Sequence, residues 1–206
     1  MTSKLDVKRD EKQFYSAPTD RFVEVDVPEM SFLQIDGAGS PESDAYAWAV
    51  EALYALSYPV KFASKNSLGM DYVVCPLEGL WWSDRLASFA DRAKAEWRWT
   101  MMIRQPGWIS AELVDSVREK AEAKAPAAAA VRLASYAEGL SVQIMHLGSF
   151  EDETPTIARL HDEYLPANGL METGHHHEIY FSDPRTSPPE KLRTLIRQPV
   201  ARRENN

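Results

Sequence analysis

Three stretches of this sequence carry side chains that could do chemistry on a small organic molecule. The first is Glu78-Gly79-Leu80-Trp81-Trp82. In an extended chain successive side chains point to opposite faces, so Glu78, Leu80 and Trp82 share one face and Trp81 takes the other. A carboxylate set beside a large ring is suited to general acid or base work. Gly79 allows a backbone or a ligand to come close. The plainer alternative makes both tryptophans core and leaves Glu78 at an exposed strand end.

The second stretch is Trp97-Arg98-Trp99, two indoles on one face of a strand. With Tyr46 and Trp48 from a helix, or Trp82 from the preceding strand, they would wall an aromatic slot that takes a flat ring or a cation. Packing into the core is the alternative, and for Trp99 it is the better one. Trp81, Trp82, Trp97 and Trp99 are four of the six tryptophans in the chain, a clustering that favours a wall. The third stretch is His175-His176-His177-Glu178-Ile179-Tyr180. A zinc site is not expected there, because on a strand His175 and His177 face away from His176 and Glu178. Strand geometry instead sets Glu178 and Tyr180 on one face with His176 beside them. A carboxylate and a phenol so placed form a hydrogen-bonded pair able to move a proton. The alternative partner for Glu178 is Arg185 or a helix end.

Other chemistries find no support. Gly37-Ala38-Gly39 lacks the third glycine of a dinucleotide loop, no P-loop occurs, and there is no Gly-x-Ser-x-Gly elbow. No cofactor and no metal are expected. Cys75 is the one cysteine, which excludes an internal disulfide framework, and no cationic neighbour activates it. The net charge of −8 argues against direct contact with nucleic acid, which needs a basic surface. The polar stretch Met1 to Gln13 cannot serve as a secretory signal, and no apolar run is long enough to span a bilayer, so a cytoplasmic location is expected.

The elements that must position these groups can be read from periodicity. Residues 1–18 read as a flexible lead-in. Strands are expected over Phe22–Val27, Ser31–Asp36, Tyr72–Cys75, Glu96–Arg104, Leu140–Leu147, His175–Phe181 and Arg197–Val200. A helix capped by Ser40 or Ser43 runs to about Ser57, with Tyr46, Ala49, Val50, Leu53 and Leu56 in one stripe. Further helices are expected over Ile109–Lys124, Thr154–Tyr164 and, briefly, Glu190–Leu195, with a polar helix or turn over Asp84–Lys94. Each half reads strand, glycine turn, helix, strand; Ile35-Asp36-Gly37-Ala38-Gly39 echoes Met145-His146-Leu147-Gly148-Ser149. The fold class is α+β: two pseudo-symmetric strand-helix-strand-strand repeats forming an antiparallel sheet with helices on one face and a central ligand cleft. A single domain over 19–203 is expected, its halves at about 19–108 and 138–203 and joined by a helix.

At these residues the chain resembles the GyrI-like small-molecule-binding family. The resemblance runs from about Met30 to Val200. It is carried by Asp36-Gly37-Ala38-Gly39-Ser40-Pro41, Pro76-Leu77-Glu78-Gly79-Leu80-Trp81-Trp82, Trp97-Arg98-Trp99 with Met102-Ile103-Arg104-Gln105-Pro106, Glu138-Gly139-Leu140-Ser141-Val142-Gln143, and His176-His177-Glu178-Ile179-Tyr180-Phe181-Ser182-Asp183-Pro184-Arg185. The resemblance implies a tandem pair of strand-helix-strand-strand units around a ligand cleft, with Glu178 at the position of the carboxylate that meets cationic aromatic drugs. The Leu-Glu-Gly-Leu-Trp-Trp and His-His-Glu-Ile-Tyr strings look similar to the branch of cyclopropanoid cyclopropyl hydrolases, which open the ring of duocarmycin-type and yatakemycin-type genotoxins with water.

If that carries over, Glu78, Glu178 and Tyr180 are the catalytic residues. Tyr46, Trp82, Trp97, Trp99, His146 and His176 are the ligand-binding ones. The two glutamates, one from each half, are then expected to converge on a hollow walled by indoles. The expected partner is a small aromatic molecule, and the expected assembly a monomer or homodimer. A non-catalytic drug-binding protein and a gyrase-inhibitor-like interaction protein are the other functions the resemblance allows.

Overall fold

A computed structural model describes residues 4–83 and 94–203. The expected turn or helix at 84–94 falls, but for its last residue, outside the described residues. The strands, in chain order, are β1 (Val23–Val27), β2 (Met30–Ala38), β3 (Leu77–Trp82), β4 (Arg98–Gln105), β5 (Arg132–Tyr136) and β6 (Gly139–Leu147). They continue with β7 (Leu170–Glu172), β8 (His176–Tyr180) and β9 (Arg193–Arg202). The chain divides into two compact units, Met1–Asp10 with Met30–Tyr136, and Glu11–Glu29 with Ala137–Asn206.

In the first unit β2 pairs with β4 and with β5, and β4 pairs with β3, all antiparallel. The register sets Trp81 opposite Trp99, Trp99 opposite Gly37, and Glu78 opposite Met102. The helix Asp44–Ala63 starts where the sequence expects, with the Ser43 hydroxyl accepting from the Tyr46 backbone N–H at 3.3 Å. It buries Ala49, Ala52, Leu53, Leu56 and Val60, a stripe at three- and four-residue spacing. It runs past the expected end near Ser57 and through Pro59. Val60 is fully buried there, and Lys61 pairs with Asp71 at 3.0 Å, which offset the backbone bond that proline removes. A π-helical turn, Ser64–Leu68, follows and ends at Gly69 with φ 69°.

In the second unit β1 pairs with β6, β6 with β9, and β9 with β8, while β7 joins the far end of β9. The helical segment begins as the α-helix Thr154–Ala158, passes through a π-helical turn Arg159–Tyr164 and ends with Leu165–Ala167. Leu160 and Leu165 from it pack on Val142, Ile144 and Ile196 of the sheet. At about 25 cal/mol per Å2 of apolar surface, each such fully buried aliphatic side chain contributes roughly 1.5–3 kcal/mol.

The repeat is therefore present: β2, helix, β3, β4 in one unit, and β6, helix, β8, β9 in the other. Several expected boundaries are corrected. The strand at Val23–Val27 belongs with the second unit, not the first, because it pairs along β6. The 1–18 segment is not a bare lead-in: short helices span Val7–Asp10 and Lys12–Tyr15, and Val7 and Tyr15 are buried. Tyr72 makes only an isolated bridge to Leu5, and the strand starts at Leu77. The helix expected over Ile109–Lys124 is broken into Ala111–Asp115 and Arg118–Lys124. The helix expected over Glu190–Leu195 shrinks to one 3-10 turn, Pro189–Lys191. Its proline start signal is real, but Thr194, Leu195 and Ile196 are buried on both faces of β9, and tertiary contact overrides a short local preference. β5 and β7 are strands that periodicity did not reveal. Among the described residues no helix is long and apolar enough to cross a membrane.

Candidate functional site

The second unit gathers the His-His-Glu-Ile-Tyr string into a hydrogen-bonded group. β8 alternates as its sequence requires, so His176, Glu178 and Tyr180 share one face. The Tyr180 hydroxyl donates to Glu178 Oε2 at 2.8 Å, and His176 Nε2 lies 3.2 Å from Glu178 Oε1. Both carboxylate oxygens are thus engaged. The side chains of His176 and Glu178 keep 13% and 14% of their exposure. Tyr180 is also held from the side by Phe150, whose ring meets it edge-on at 5.7 Å.

The register brings two further side chains into line. Tyr180 lies opposite Thr194, and Thr194 lies opposite His146, so the three form a row across β8, β9 and β6. His146, expected to bind ligand, is buried, and its Nε2 lies 3.1 Å from the Ser149 carbonyl oxygen. That contact makes it a fastener of the turn after β6. Glu153, at the end of the 3-10 turn Phe150–Glu153, is buried beside Thr194 and in the field of Glu178. Burial first, and the Glu178 charge second, push the Glu153 carboxyl up to about 9; the Thr194 hydroxyl opposes this only in part. Glu153 was not singled out from the sequence. Its one local signal is its place immediately before the helix start Thr154-Pro155.

The opposite face of the same strands is a closed ionic core. His177 Nδ1 meets Glu138 Oε1 at 2.9 Å, and Arg197 Nη1 donates to Glu138 Oε2 at 3.0 Å. Arg197 Nε donates to Gln143 Oε1 at 3.0 Å, and its other nitrogen donates to the Phe14 carbonyl oxygen. Burial would raise Glu138, but His177 and Arg197 outweigh it and hold the carboxyl down at about 2. His176 and His177 are therefore divided by the pleat, as expected: His177 serves this core and His176 serves Glu178, while His175 lies before the start of β8.

In the first unit the aromatic residues assemble differently from expectation. Tyr46 stacks on Trp81 at 5.9 Å and meets Trp99 edge-on at 5.7 Å, and Trp81 meets Trp97 at 5.8 Å. The cluster lies on the helix-covered face and takes in Trp81, which is not among the expected ligand-binding residues. Trp82 points to the other face, and at the strand ends it borders an open depression together with Asp36, Arg98 and the edge of Trp97. Trp99 is 1% exposed and packs over Gly37, so it is core and not a free ligand wall.

Glu78 shares the face of Leu80 and Trp82, as read from alternation, and it is buried. This places it on the opposite side of its sheet from Trp81, Trp97, Trp99 and Tyr46. Of the indoles expected to wall a hollow, Trp82 shares the face of Glu78, whereas Trp99 lies on the other face. Gly79, between them, faces the cluster: a side chain there would strike Trp81 Nε1 at 2.8 Å.

Comparison with known proteins agrees with this architecture. The model of the GyrI-like small molecule binding domain matches residues 22–201. An uncharacterized conserved protein from Listeria innocua is 40% identical, with a TM-score of 0.87 over 96% of this chain and 100% of its own. A protein from Listeria innocua described as a hydrolase is 39% identical, with a TM-score of 0.82 over the same shares of the two chains. A further hydrolase from Listeria innocua is 38% identical, with a TM-score of 0.86 over 97% of this chain and 100% of its own. No curated protein matches the sequence.

Proposed function

This chain belongs to the GyrI-like small-molecule-binding family, and from that premise we propose that it is a hydrolase of strained, electrophilic aromatic molecules. The substrate class is the conjugated cyclopropane of duocarmycin-type and yatakemycin-type compounds, with water as the second reactant. The observation that carries the reading is the Tyr180–Glu178–His176 hydrogen-bonded group, with both carboxylate oxygens engaged and the side chains still partly open to solvent. The two Listeria proteins described as hydrolases support the reaction class.

In this reading Glu178 takes a proton from water as the water oxygen bonds to the ring methylene. The ring carbon–carbon bond breaks, its electron pair runs to the conjugated carbonyl oxygen, and that oxygen is protonated to give a phenol. Strain drives the opening, so a positioned base contributing roughly 10²–10⁴-fold suffices. Tyr180 orients the carboxylate or donates to the substrate, and His176 fixes the second oxygen.

The test is incubation with a cyclopropane-bearing duocarmycin analogue, followed by mass spectrometry for the gain of one water. Glu178→Gln is expected to lower turnover by at least about 10²-fold with the fold and the affinity kept. Wild-type rates in Glu178→Gln remove it from the mechanism. A second reading, a non-catalytic binder of lipophilic cations, is favoured by the same partly buried carboxylate. It is selected if the wild-type protein binds the analogue stoichiometrically and no hydrated product forms.

A further inference from the structure

Glu153 is a carboxyl at this group that the reaction as written does not use. It is 3% exposed, and among the described residues its Oε1 has no hydrogen-bond partner. An orphaned polar atom in such a place costs stability and calls for an explanation. The turn that carries it is fastened from several directions. His146 holds the Ser149 carbonyl, the Ser149 hydroxyl donates to Asp152 at 2.7 Å, and Phe150 packs edge-on against Tyr180. Thr194, beside Tyr180 in the register, also has a buried hydroxyl with no well-formed hydrogen bond, and it lies next to Glu153. The two unsatisfied groups and Glu178 therefore meet at one spot.

The charged and titratable groups around that spot are His176 and Tyr180 on β8, His146 on β6, and Glu151 and Asp152 in the turn. His161 comes from the helical segment, within the field of His176 and 2.9 Å from Glu172. Among the described residues no lysine or arginine enters the electrostatics of Glu153. Two carboxylates buried together cannot both stay ionised, so such pairs hold one proton between them. Here burial and the neighbouring charge put that proton on Glu153.

We propose that Glu153 is a catalytic residue, the proton donor that completes the hydrolysis for which Glu178 is the base. The inference rests on the hydrolase reading above. Glu178 receives one proton from water, and the resulting oxygen–carbon bond displaces the ring carbon–carbon bond. The displaced electron pair reaches the conjugated carbonyl oxygen, and the Glu153 O–H gives its proton to that oxygen. The product is the substrate plus one water. The pair is reset when the proton now on Glu178 passes to Glu153, so no other acid or base is consumed.

A general acid is needed most when the leaving oxygen is least acidic, and a purely structural residue has no such dependence. The experiment compares an unsubstituted spirocyclopropyl dienone with a chlorinated derivative whose product phenol is more acidic. Glu153→Gln is expected to lower kcat on the first by about 10²-fold and on the second by less than about ten-fold. Glu178→Gln lowers both alike. Glu153→Asp, which keeps the acid, shows the same dependence in weaker form and serves if the glutamine variant does not fold. Equal losses on the two substrates, or no loss, overturn the proposal and leave the hydrolase reading standing. If the wild-type protein hydrolyses neither, the hydrolase reading falls and the donor role falls with it.

Discussion

Two glutamates in the second unit illustrate how far environment, and not residue type, decides chemistry. Glu153 and Glu138 are both buried, yet one is driven up to about 9 and the other down to about 2. Glu153 has Glu178 beside it, whereas Glu138 has His177 and Arg197. For Glu138 the folded value lies below the ordinary 4.5, so its contribution to stability is present above that pH and is lost as pH falls toward 2. Glu138→Gln leaves Arg197 and His177 buried without their anion. It is expected to cost about 3–5 kcal/mol in urea unfolding at neutral pH, and the loss should shrink in acid. A loss below about 1 kcal/mol at neutral pH would show that the core does not depend on this charge.

At the level of elements, alternation along the strands sorts the functional residues. β3 sends Trp81 to the helix and Glu78 away from it; β8 sends Glu178 and Tyr180 to one face and His177 to the other. The cross-strand register then decides which of these meet. Gly37 is a tightly packed point, because a Cβ there would lie 2.0 Å from the Trp99 ring. Trp99 is itself wedged against Tyr46 and has no exposed space to move into. Gly37→Ala is therefore expected to lower stability by about 1–3 kcal/mol or more, seen as a fall of several degrees in Tm. An unchanged melt would mean that the ring shifts at no cost.

For the whole molecule, the path of the chain is the informative feature. The N-terminal segment serves both units in turn: Leu5 bridges to Tyr72 in the first, and residues 11–29 belong to the second. The carbonyls of Gln13 and Ser16 accept from Gln143, and that of Phe14 accepts from Arg197. Removing residues 1–16 strands the Gln143 amide and part of the Arg197 guanidinium in the interior. A cost of several kcal/mol is expected, at about 1–3 kcal/mol for each buried group left unpaired, measurable as a lower urea midpoint. A truncated protein as stable as the full chain would return the segment to the passive lead-in that its polar composition suggests.

Much of this was legible in the residues. Period-two alternation gave β2, β4, β6 and β8 and, within β8, the pairing of Glu178 with Tyr180, because a strand fixes side-chain direction locally. The Ser43 cap and the apolar stripe gave the long helix for the same reason. What the sequence could not settle is which strands lie side by side and in what register. That is why Trp81 rather than Trp82 joins the aromatic cluster, why Trp99 is core, and why Thr194 and Glu153 stand beside Glu178. A residue's direction depends on its own backbone, but its company depends on segments far away in the chain. The charge state of a buried carboxyl depends on that company, so only the tertiary structure decided it.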